Sequence, residues 1–289
     1  MLLAFIVLRQ LPPPAPDENQ AQYENAHSTD AIVEAMISGS WSRVEAYKRE
    51  VKSFKNPIYL WDPGRRRGGD ILTQLAYYGD VSDRYGNALT GMRIAIQYGA
   101  DPNEGGGVPL LAAVQDDAYG KMVERLLRYG ARPDGSSGML RTPLGQAISW
   151  ARFQNLEILL NADADPNRAT FSRWPRWPGP GSGVKSPTPS TLRGYPTERE
   201  LSFPLALVAR FGWTKAVPLL LRAGARVNAR DPKTGLTALH EAAENDHPEV
   251  IALLLKAGAI KTARDKRGRT PLRDARIFGA KRAIRALGG

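Results

Sequence analysis

The sequence predicts an all-α fold, a solenoid of stacked helix pairs with short β-turn fingers and one long fingertip insertion, and three observations predict it. Segments recur at a near-fixed step: Gly235 and Gly268 stand 33 residues apart, as do Thr237 and Thr270, and LLLRAGARVNA (219 to 229) returns as LLLKAGAIKTA (253 to 263) after 34. Each segment opens with a helix-start signature, such as Thr142-Pro143-Leu144 or Thr270-Pro271-Leu272, and closes on an apolar run followed by glycine. The chain holds 289 residues with 42% hydrophobic content and no cysteine, so it can bury a large core without disulfides. Composition alone allows compact domains or an elongated array, and the period chooses the array.

Residues 1–27 form an apolar segment and a Pro-rich linker. The run Leu2 to Leu8, followed by Arg9 and prolines, falls short of the ~20 residues that a spanning helix needs. Two readings of it stay open. It is the tail end of a signal or anchor that starts upstream, which places the protein in the periplasm or cell envelope and allows membrane contact here, or it is an apolar arm packed on the first helices of a cytoplasmic protein. Residues 28–289 are the repeat domain, beginning with an N-terminal helical cap over 28–70. Its stretch STDAIVEAMISGSWSRVEAYKREV (28 to 51) reads as two amphipathic helices with a cap at Ser28/Thr29.

Five repeats or part-repeats follow. The first, 71 to 103, ends in AIQYGADPN but lacks the Thr-Pro-Leu start and carries about eight extra residues. The next begin at Val108-Pro109-Leu110, Thr142-Pro143-Leu144, Phe203-Pro204-Leu205 and Thr237-Ala238-Leu239, and residues 265–289 make a truncated, basic C-terminal cap. The unit DPKTGLTALHEAAENDHPEVIALLLKAGA from Asp231 resembles the ankyrin repeat family: a turn, a T-P-L-H-x-A-A first helix, an L-L-L second helix, then G-A-D-x-N. Physical reasons support each position. A threonine hydroxyl accepts free N–H groups at the helix start, and Pro143, Pro204 and Pro271 suit the first helical residue. Gly99, Gly130, Gly224 and Gly258 suit the left-handed end of the second helix, and Asp163 tolerates that conformation. The resemblance gives His240 and His247 turn-stabilising and inter-repeat roles, and implies a non-catalytic, monomeric protein-binding module that uses a concave groove and fingertips.

Pro204 comes 37 positions after Asn167 where the later repeat takes 10 from Asn228 to Ala238, so 27 residues are inserted at one fingertip, over 168–202. Its GPGSGVKS (179 to 186) suggests a phosphate loop, but Val184 stands where the glycine before Lys185 must be, and Pro187 and Pro189 block the helix that should follow. The insertion is a partner-contacting loop with Arg173, Trp174, Arg176 and Trp177.

Catalysis lacks its parts. HEAAENDH (240 to 247) has Glu244 where a zinc-protease motif needs histidine, His27 lies alone in the linker, and Asp116 and Asp117 fall on a solvated face. No cofactor or metal is expected. Aligned on Glu241, Glu244, Asn245 and Asp246, one repeat earlier come Leu207, Arg210, Phe211 and Gly212 with Trp213 next, and before them Gln146, Ser149, Trp150 and Ala151. These positions should face the groove, so Trp150, Arg210, Phe211 and Trp213 join the four loop residues as the candidate contact surface. The alternative is that the insertion folds over the groove and covers Trp150 and Phe211. The net charge is +11, and residues 256 to 289 hold eleven Lys/Arg against two Asp. That favours a protein partner with an acidic surface. The rivals are a neutralising, immunity-type inhibitor of a toxin or enzyme, and a nucleic-acid or anionic membrane-surface binder working through the basic end.

Overall fold

The computed structural model describes residues 32–50, 71–78, 85–103, 107–115, 120–136, 141–171 and 201–289. The N-terminal apolar run, Ser28/Thr29, His27, Asp116, Asp117 and most of the insertion lie outside them. The chain divides into two units, Met1–Asp101 and Pro102–Gly289.

The first unit holds a helix over 32–37 (α1), α2 (Trp41–Glu50), α3 (Ile71–Tyr78) and α4 (Tyr85–Gln97). Met36, Ile71, Leu72, Leu75 and Met92 are fully buried there. Asn87 Nδ2 donates to the carbonyl of Ile37 at 3.3 Å, tying α4 to the end of α1. Residues 71–97 thus form a complete helix pair although no Thr-Pro-Leu signature opens it.

The second unit consists of α5 (Val108–Ala113), α6 (Gly120–Arg128), α7 (Pro143–Ser149), α8 (Phe153–Asn161), β1 (Thr170–Phe171), β2 (Leu201–Ser202), α9 (Pro204–Phe211), α10 (Ala216–Arg222), α11 (Ala238–Glu244), α12 (Pro248–Lys256), α13 (Pro271–Ile277) and α14 (Lys281–Ala286). The first helices of successive pairs pack on one another in order, α5 on α7, α7 on α9, α9 on α11 and α11 on α13, and the second helices do the same. Two layers result, with Leu110, Leu126, Leu144, Leu156, Leu159, Leu205, Leu220, Leu239 and Leu254 between them, all buried. Ala242, Ala243 and Ala275 are fully buried on the first helices, where small side chains let neighbours approach. Among the described residues there are seven helix pairs, one more than the N-terminal pair and five repeats counted in the sequence, because the truncated cap completes a pair over 271–286.

Local chemistry explains the starts and stops. Thr142 Oγ1 accepts the N–H of Gly145 at 3.0 Å, Thr270 Oγ1 accepts that of Arg273 at 3.3 Å, and Pro143, Pro204 and Pro271 are first helical residues. Left-handed residues end the second helices at Gly99, Gly130, Asp163, Gly224 and Gly258.

The asparagine that closes each repeat is a clip between neighbours. Asn103 donates to the carbonyl of Gly130 and accepts the N–H of Arg132; Asn167 treats Gly224 and Arg226 the same way, and Asn228 treats Gly258 and Ile260. Where Asp134 replaces asparagine, only the acceptor half survives, to the N–H of Asp165 at 3.0 Å. Since the Asn167 clip joins the repeats on either side of the insertion, stacking passes through that point uninterrupted.

Candidate functional site

Position by position, the first helices pass from buried to exposed. Gln146, Leu207 and Glu241 are buried, which corrects the expectation that they face the groove. Ser149, Arg210 and Glu244 are partly exposed, and the end of the helix presents Trp150, Phe211, Asn245 and Phe278 before the chain turns at Ala151, Gly212, Asp246 and Gly279, all left-handed.

Arg210 does not stand free. Its guanidinium clasps the buried Glu241 carboxylate in a bidentate pair, Nε to Oε2 and Nη2 to Oε1, both at 2.8 Å, which joins α9 to α11. Planar fork recognition of this kind is strong, and here it satisfies a carboxylate inside the stack. Its backbone carbonyl also takes a bond from His247 Nε2 at 3.0 Å. Arg210 is thus first an inter-repeat tie.

In three successive repeats the residue two after the helix end serves the same purpose by different chemistry. Arg152 Nε donates to the carbonyl of Gln115 at 2.7 Å, and His247 reaches the equivalent carbonyl of Arg210. Trp213, at this position in the repeat between, packs instead of bonding: its ring meets Phe153 edge-on at 5.6 Å and stacks on Phe211 at 4.8 Å. Phe211 remains 43% exposed on top of this cluster. Two of the sequence-derived residues, Phe211 and Trp213, are therefore brought together, and Phe153, which the sequence reading passed over, joins them. Trp150 is half-buried, and its Nε1–H is buried without an acceptor among the described residues. Arg173, Trp174, Arg176 and Trp177 lie outside the described residues.

The insertion is rooted by a device that the sequence did not announce. Thr170 pairs with Ser202 and Phe171 with Leu201 in an antiparallel ribbon. Thr170 is 1% exposed, its Oγ1 accepts the N–H of Thr142 at 3.4 Å, and it packs so tightly on Gly145 that any Cβ there would overlap it. Arg168 donates to the carbonyls of Asp134 and Ser136 in an earlier finger. The segment's ends are thus part of the stack.

A charged network runs beside the aromatic cluster. Arg269 pairs with Asp265 at 2.9 Å and with the fully buried Asp274 at 3.1 Å, and lies 3.9 Å from Glu244. Burial, then the neighbouring charges of Glu241 and Asp274, push the Glu244 carboxyl up to about 7. Burial also raises Asp274 and lowers His240. His240 Nδ1 takes the N–H of Thr237 at 3.2 Å and lies 2.9 Å from its hydroxyl, so Nε2 carries the proton donated to the carbonyl of Arg269 at 3.1 Å. Both nitrogens are used structurally.

The family description "Ankyrin repeats (3 copies)" matches residues 203–288. Rabankyrin-5 of Mus musculus is 31% identical over 154 residues, which cover 53% of this chain and 12% of that protein. Ankyrin repeat and SOCS box protein 6 of Mus musculus is 40% identical over 62 residues, 22% of this chain and 15% of that protein. Neurogenic locus notch homolog protein 1 of Xenopus tropicalis is 28% identical over 200 residues, 67% of this chain and 8% of that protein. This chain thus corresponds to only a small part of each relative's length. Stacked helix pairs, clips, the buried His240 and these similarities agree: the chain carries ankyrin repeats, which the family model matches over 203–288, and such repeats are generally non-catalytic and bind other proteins.

Proposed function

We propose that this chain is a non-catalytic binding module that grips a protein partner between the exposed ends of its first helices and the inserted loop. One observation carries the reading: Phe211 lies exposed on Trp213, which is itself braced edge-on by Phe153. An aromatic ring fixed in place before binding loses little rotamer freedom on contact, and such anchors dominate interfaces. The loop residues Arg173, Trp174, Arg176 and Trp177 complete the surface, since the insertion is rooted between the two repeats that supply Trp150 and Phe211.

A photo-reactive phenylalanine analogue placed at position 211, and in a second protein at position 174, tests this. Both should crosslink to the same partner polypeptide in cell extract. Crosslinks that arise only from probes on the last helix pair, with none from 211 or 174, would move the site to the basic end.

A further inference from the structure

Phe211 and Phe278 occupy the same place in repeats two steps apart, each seven residues beyond the first residue of its helix, Pro204 and Pro271. Both are unusually exposed for phenylalanine, 43% and 57%, and Ile277 beside Phe278 is 56% exposed. The edge on which they sit is basic. Lys215, Arg276 and Lys281, each within four residues of one of the two phenylalanines, are exposed. Its carboxylates are engaged: Glu241 by Arg210, Glu249 by Arg282, and Asp246 by the N–H of Ala283 at 2.7 Å. Glu244 stands between the two phenylalanines in the intervening repeat, partly exposed.

We infer that this helix-turn edge, anchored at Phe211 and Phe278, is a docking surface for an extended acidic segment of a protein partner, with two apolar side chains five or six residues apart. Packed helices lie about 8–10 Å apart, so two repeat steps span about 16–20 Å. An extended chain rises about 3.3 Å per residue and covers that distance in five or six residues. Acidic side chains belong at the Phe278 end, opposite Arg276 and Lys281, and the centre, facing Glu244 and Asn245, is neutral. A lipid headgroup surface would use the same cations but has no such spacing. The inference rests on the protein-binding reading and names the chemistry of the partner segment that meets the Phe211 side of that surface.

Fluorescently labelled synthetic peptides test it by anisotropy. One is acidic with leucines five residues apart, one has the same composition with leucines two apart, and one has lysines for the acids. The first should bind best. Phe211→Ala and Phe278→Ala should each weaken it on the order of tenfold, with helical circular dichroism unchanged, and Arg276→Glu should weaken it further. Indifference to leucine spacing, or unchanged binding in Phe278→Ala, overturns the inference, as does retention by vesicles of phosphatidylcholine and phosphatidylserine with no peptide binding. If crosslinks from positions 211 and 174 persist while no peptide binds, protein binding stands and this surface falls.

Discussion

Glu244 shows how a single carboxylate records its surroundings. Its folded-state value near 7 exceeds the ordinary 4.5, so the stabilising contribution of the neutral form is complete below about 4.5 and is lost as pH rises through about 7. Glu244→Gln should therefore stabilise the protein near pH 8, by about 2 kcal/mol after allowance for partial exposure, and should make no difference near pH 4. Urea melts at the two pH values check this, and a difference independent of pH would show that burial and the neighbouring acids do not act as described. Gly212 makes a second case. It is left-handed, with φ 72°, and a Cβ would lie 2.4 Å from Nδ1 of His247. Gly212→Ala should cost about 2 kcal/mol or more, from strain and from displacing the bond to the Arg210 carbonyl, read as a lowered melting temperature. At this scale the sequence was informative where a residue's job recurs with the repeat. The roles of His240, His247 and the capping threonines followed from the repeat pattern. Arg210 was read as a contact residue because its partner Glu241 lies 31 residues away, and only packing brings that carboxylate against it.

At the level of elements, the helices of the repeats and the capping threonines Thr142 and Thr270 were legible because apolar period and punctuation recur. The β1–β2 ribbon was not. Two-residue strands have no periodicity to read, and Thr170 and Ser202 are ordinary in a Ser/Thr-rich loop. The ribbon changes where the insertion can be cut. Removing 172–200 and joining Phe171 to Leu201 through a short Gly-Asn turn should leave helical content and the cooperative melt intact, since loop length enters stability only weakly. Removing 168–202 entirely should cost several kcal/mol more, because Arg168, Thr170 and the ribbon go with it. Equal stability of the two deletions would mean that the ribbon does not anchor the stack. The clip at Asn167 can be tested alone: Asn167→Ala removes two hydrogen bonds, and a loss of about 1–2 kcal/mol is expected in chemical denaturation.

For the whole molecule, the repeat fixes what is presented and the departures from it fix to whom. Polar Asn245 ends one first helix, and Asp246 and His247 just after it tie neighbours together, while Trp150, Phe211 and Phe278 fill the place of Asn245 in other repeats. The excess charge of +11 is concentrated in the last repeats, and the acidic partner segment proposed above predicts fast, salt-sensitive association. The central claim is that the exposed ring of Phe211, held by Trp213 and Phe153, is a binding anchor and not packing. Titration calorimetry of the crosslinked partner against wild type and Phe211→Ala tests it most directly. The account predicts a loss of about 2 kcal/mol or more in affinity with an unchanged melting temperature. Unchanged affinity with a lowered melting temperature would make Phe211 a structural residue and contradict it.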